Sequence, residues 1–114
     1  MYDFPTNLDL EQFRGKTLGL VSFGQYKIDF HFSGGYLIGV EDDISVNTSE
    51  PMDIPTALPL IYPLINQDVT SATVQGTATL LFEFERGERL YIHDSSKQYV
   101  CYQIQHNGEI LAII

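Results

Sequence analysis

Three histidines, one cysteine and several close carboxylate pairs are the side chains of this chain that can shuttle protons, hold a metal or attack carbon. His31 lies in an alternating stretch beside Asp29, His93 follows Ile92, and His106 precedes Asn107-Gly108. A zinc site draws its ligands from helical or hairpin spacings that bring them together, and no two of these histidines have such a spacing. They read as exposed or turn histidines, with no metal site and no cofactor. A nucleophilic cysteine needs a lowered pKa, from a helix N-terminus or a neighbouring cation. The segment Val100-Cys101-Tyr102 supplies neither, so Cys101 reads as a small core residue. Glu83 and Glu85 alternate with Phe82 and Phe84 and so face solvent near Arg86 and Arg89 rather than forming a general acid/base pair. No serine-centred elbow, phosphate loop or Cys-x-x-Cys occurs. The expectation is a protein that is not an enzyme.

What remains is charge. The chain has 114 residues, 15 acidic and 6 basic, for a formal net charge of -9. No lysine or arginine lies between Lys27 and Arg86, and residues 28–85 hold nine carboxylates. The remainder holds six acids and six bases, which cancel. The net charge therefore belongs to half the chain and peaks at Glu41-Asp42-Asp43, with Glu50 and Asp53 along the following loop. An acidic surface repels phosphate, which argues against nucleic acid and anionic membrane as partners. It favours a basic protein partner, whose approach it would steer. Glu41, Asp42, Asp43, Glu50 and Asp53 are the candidate partner-binding residues. The run is not an EF-hand loop, which alternates its ligands.

These residues must be carried by a scaffold, and the sequence describes it. The length fits one domain, 1–114. Hydrophobic residues make up 44%, enough for a core. With one cysteine there is no internal disulfide. The start, Met1-Tyr2-Asp3-Phe4-Pro5, lacks the basic and apolar pattern of a secretory signal. The most apolar window, 57–65, is too short to cross a bilayer. The expectation is a cytoplasmic protein.

A shift of 52 positions lays the chain over itself without gaps. Phe30, Phe32 and Gly35 fall on Phe82, Phe84 and Gly87; Ile38, Val40 and Asp42 fall on Leu90, Ile92 and Asp94. Most matches sit at alternate positions, the side-chain period of a strand. The repeats run over about 16–42 and 68–94, each a strand, turn, strand, turn, strand. Tyr26, Ile28, Phe30 and Phe32 are expected to face inward, as are Tyr36, Ile38 and Val40. In the second copy Ala78, Leu80, Phe82, Phe84, Leu90 and Ile92 take that face. Ser33-Gly34-Gly35 and Glu85–Glu88 supply the turns. The hairpin 99–114 follows, with Asn107-Gly108 as its turn and a terminal apolar run expected to be paired and buried. The linker 44–65 starts polar, at Ser45–Pro51, and continues apolar. Pro55, Pro59 and Pro63 forbid a long regular helix there and leave one or two short turns. A similar turn is expected near 7–13, capped by Asn7 or Asp9. The fold class is all-β with short helical turns: eight antiparallel strands in a sandwich or partly open barrel.

The pattern Phe-x-Phe-x-x-Gly-x-x-(Leu/Ile)-x-(Val/Ile), the apolar turn before each copy and the segment Tyr99–Ile104 resemble a bacterial family of small domains of unknown function. In that family an acidic residue stands between the late aromatics, where this chain has Val100 and Cys101. The chain also resembles, as a class, the immunity proteins of toxin systems, including those of contact-dependent growth inhibition. That resemblance implies a cytoplasmic protein that binds one cognate toxin, often a basic nuclease, and covers its active site. Segment 41–53 would then meet the lysines and arginines that otherwise hold RNA phosphate. The alternative expectation is a small-ligand or regulatory binding module that uses the interior or mouth of a barrel.

Overall fold

The computed structural model describes residues 5, 8–95 and 100–114. Asn7 and Tyr99, named above as a cap and a strand start, lie outside the described residues. Among the described residues, nine strands form two antiparallel sheets: β1 (Leu18–Phe23), β2 (Ile28–Phe32), β3 (Tyr36–Val40), β4 (Ile44–Val46), β5 (Val69–Gln75), β6 (Thr79–Phe84), β7 (Arg89–Ile92), β8 (Tyr102–His106) and β9 (Glu109–Ile113). One sheet has the order β1-β2-β3-β8-β9 and the other β4-β7-β6-β5. The sheets face each other across a shared core and do not close into a barrel.

Alternation explains which faces are buried. Ile28, Phe30 and Phe32 are buried on β2, as are Leu80, Phe82 and Phe84 on β6. Phe30 pairs with Ile38 across β2–β3, and Phe82 with Leu90 across β6–β7. Positions matched by the 52-residue shift thus hold the same register in the two sheets. The turns use the conformations their residues permit: Gly34, Gly35, Gly87, Asn107 and Gly108 all have positive φ. Gly35 is constrained twice, because a Cβ there would lie 1.9 Å from Asn107 Oδ1.

A single-turn 3-10 helix at Leu10–Phe13, capped by the Asp9 carboxylate on the Glu11 amide, pushes Phe13 between the sheets. Its ring meets Phe32 of one sheet and Phe82 of the other edge-on, each at 5.4 Å, while Phe32 and Phe82 stack at 5.6 Å. At one end the starts of β1 and β5 are joined by the Thr17–Asp68 bridge. There the Thr17 hydroxyl donates to the Asp68 carboxylate at 2.5 Å.

Several expectations are corrected. There are nine strands rather than eight, because the linker opening at Ile44 forms β4, paired with β7. Ser45 looks like a loop residue but is fully buried, its hydroxyl bonded within the loop and to His93. Tyr26 is not an inward strand residue. A tight turn, closed by Gly24 N–H donating to the Lys27 carbonyl at 2.8 Å, leaves it 78% exposed. β8 starts at Tyr102, so Val100 and Cys101 precede it. The terminal run is paired, but on one side only: β9 is an edge strand with Ile110 exposed.

The apolar half of the linker forms α1 (Ile54–Ile61) and a 3-10 turn, Tyr62–Leu64. Pro55 sits in the first turn, where no N–H partner is needed. Pro59 removes one internal bond and helps limit α1 to eight residues. Ile54, Ala57 and Ile61 pack on the core. Leu60 and Tyr62 stay exposed. Among the described residues, no helix is long and apolar enough to cross a membrane.

Candidate functional site

The acidic residues of β3's end and of α1's start converge although ten residues separate Asp43 from Asp53. The reason is a small closed loop. Ile44 and Met52 form an isolated antiparallel bridge, with Ile44 N–H donating to Met52 O at 3.1 Å and Met52 N–H donating to Ile44 O at 2.9 Å. Asp43 and Asp53 flank that bridge, one on each strand. Asp53 then caps α1, accepting the Thr56 amide on Oδ1 at 2.9 Å. This is the ordinary duty of an Asp before a helix.

The result is an open pocket of about 200 Å³ that Glu41, Asp42, Asp43 and Asp53 line together with Gln25 and Tyr26 of the β1–β2 turn. None of the described residues that line it is basic. The nearby Lys27 pairs instead with Asp29 at 3.7 Å. Glu50, grouped with these acids on sequence grounds, does not line the pocket. It sits exposed in the closed loop, its amide donating to Thr48 Oγ1. Gln25 and Tyr26 are additions that strand alternation concealed, because it placed Tyr26 in the core. The Gly24 preceding them was the available turn signal.

Each carboxylate has a distinct electrostatic setting. Burial pushes the Asp42 pKa up, but hydrogen bonds outweigh it and leave the carboxyl below its ordinary value. The Ser95 hydroxyl and amide donate at 2.7–2.9 Å, and the Asp43 amide and Cys101 thiol add to them. Asp94, the position matched to Asp42 by the 52-residue shift, likewise accepts hydroxyls, from Thr79 at 2.8 Å and Thr77 at 3.2 Å. Burial and then repulsion by Asp42 and Asp53 push the Asp43 pKa up, against an opposing pull from His93. The bonds from Thr56 hold Asp53 below the ordinary carboxylate value.

The chemistry-bearing residues are placed as follows. His31 contacts Ser22 Oγ at 3.1 Å, and His106 stacks on Tyr36 at 4.1 Å between ring centres. His93 is 7% exposed and lies 3.0 Å from the fully buried Ser45 Oγ. The Ser45 hydroxyl gives its one proton to the Thr48 carbonyl at 2.5 Å, so it accepts from Nε2–H of His93. Cys101 is fully buried beside Asp42. Asp42 opens to the acidic pocket, whereas His93 borders a different recess with Tyr91 and Thr79. Glu83 pairs with Arg89 at 3.3 Å and accepts from Ser71. Among the described residues, no group of three or more His, Cys, Asp or Glu side chains is placed to hold a metal ion.

Comparison of the chain with models of protein families, with curated proteins and with solved structures gave no match. The functional reading therefore rests on the pocket itself.

Proposed function

We propose that this chain is a binding protein of the immunity type, which docks its acidic pocket on a basic cognate toxin and covers that toxin's active site. The observation that supports it most is the charge of the pocket: four carboxylates converge beside an exposed tyrosine, with no cation among the described lining residues. A nuclease is the natural target class, because the cations that hold its substrate phosphates would also fit this pocket. Tyrosine suits such an interface, since it buries a large ring at small entropic cost. Localisation in the cytoplasm, where such a toxin acts, belongs to the same proposal.

The test uses the protein encoded next to this chain's gene, assayed first on its own for nuclease activity; a neighbour without such activity counts against the reading. The wild-type chain should co-purify with it and block its nuclease activity. Glu41→Lys combined with Asp43→Asn should slow association about tenfold at low salt, the scale on which charge steering acts. The loss should shrink as salt rises. Unchanged association would remove the pocket from the interface.

A further inference from the structure

The acidic pocket is one end of a longer surface. Beside it runs an apolar groove of about 250 Å³, lined by Val21 and Phe23 of β1, Leu58 and Ile61 of α1, and Tyr62 and Ile65 after it. Two elements contribute to both. The end of β1 gives Phe23 to the groove and the β1–β2 turn gives Tyr26 to the pocket; α1 gives Leu58 to the groove and Pro55 to the pocket. Pro55 and Leu58 are one helical turn apart, a rise of about 4.5 Å. Phe23 is 62% exposed and Tyr62 77%. Large aromatic rings left open side by side mark an interaction surface rather than scattered exposure. β1 is also the outermost strand of its sheet, a position that invites an added strand.

Resting on the reading above, we infer that this strip binds one extended segment of the protein partner, with two apolar side chains in the groove and a lysine or arginine in the pocket. Charge complementarity fixes the polarity of the occupant: only the pocket end of the strip is lined by carboxylates. The span fixes the spacing. From Ile61 to Ile54 the helix rises about 10 Å, which an extended chain covers in about three residues. The basic residue of the occupant therefore lies about three positions from the farther apolar one. An acidic segment is disfavoured by repulsion, and a purely apolar one would cover the pocket's carboxylates without a matching charge.

The test is selection of a displayed random peptide library on the full-length chain, repeated on two variants. Phe23→Ser opens the groove at an exposed position; Glu41→Lys with Asp43→Asn alters the pocket. The expected outcome is enrichment of two apolar residues with a lysine or arginine about three positions from the farther of them. Phe23→Ser should lower affinity of the selected peptides at least tenfold, and the charge variant should do the same. Enrichment without a basic residue, no enrichment, or binding that survives Phe23→Ser would overturn the inference. So would a dimer of the wild-type chain in sedimentation that Phe23→Ser dissolves, because a second copy would then own the groove. Assaying both variants against the same gene neighbour's product separates the two proposals. If only the charge variant loses toxin binding, the strip fails and the acidic docking reading stands; if neither does, both fail.

Discussion

Asp43 and Asp53 flank the antiparallel bridge that joins Ile44 to Met52, so two like charges are held near each other by two backbone hydrogen bonds. The fold thereby keeps repulsion on a surface where a purely structural design would disperse it. Binding sites commonly carry such local conflict.

Asp43→Asn should therefore raise stability. Burial, with repulsion from Asp42 and Asp53, raises the Asp43 pKa in the folded chain. Its contribution is most favourable below the ordinary carboxylate value of 3.8 and declines as pH rises through the folded pKa. Screening at this half-buried, solvent-reached site keeps the gain at neutral pH to about 0.5 kcal/mol or less, up to about 2–4 °C in Tm for a domain near this size. Thermal melts at low and high salt check it, since the advantage of the variant should shrink with salt. A lower Tm in the variant would contradict the assignment.

His93 should make the protein acid-sensitive. Burial lowers its pKa below 6.5, outweighing the opposing pull of Asp42, Asp43 and Asp94. The unfolded chain then binds the proton more readily, so stability is complete above about pH 6.5 and falls as pH drops through the folded value. His93→Gln keeps an N–H donor for Ser45 and removes the titration. Urea midpoints between pH 7.5 and 5 should decline in the wild type and flatten in the variant.

Ser95→Ala should raise the Asp42 pKa. The Ser95 hydroxyl lies 2.7 and 2.9 Å from the two carboxylate oxygens and stabilises the charged form against burial. Carboxyl-carbon NMR titration reads this directly. An unchanged midpoint would mean that the amide and thiol donors suffice.

Phe82→Ala should cost about 3–5 kcal/mol, the scale for emptying a packed aromatic site. Phe82 is fully buried and touches both Phe13 and Phe32, so its loss loosens the contact between sheets and not one sheet alone. Circular dichroism and tryptophan-free near-ultraviolet signals should lose cooperativity together.

The local pattern determined the fold class and most buried faces. Phe30, Phe32, Ile38 and Val40, with Phe82, Phe84, Leu90 and Ile92, are all buried as their alternation requires. A two-residue period is a property of the chain itself, readable without knowing the partner strand. Glycine and asparagine mark several turns for the same local reason: Gly34, Gly35, Gly76, Gly87, Asn107 and Gly108 all have positive φ. Where several residues near a boundary alternate, the phase is less secure, and Tyr26 shows it: the turn closed at Gly24 and Lys27 sends its ring outward.

What tertiary structure alone decided is who meets whom. β4 is three residues long and includes a serine, too short to show a period; pairing with β7 and the Ser45–His93 bond create it. β9 is apolar, yet sheet order leaves it at an edge. Charge counting located an acidic segment but could not separate Asp53, which the Ile44–Met52 bridge returns to Asp43, from Glu50, which it leaves outside. Nor does spacing along the chain place Phe23 and Tyr26 beside α1. Side-chain direction is set by neighbours one or two residues away, whereas convergence depends on loop closure and strand register across tens of residues. A one-residue change in register would turn a whole strand face over.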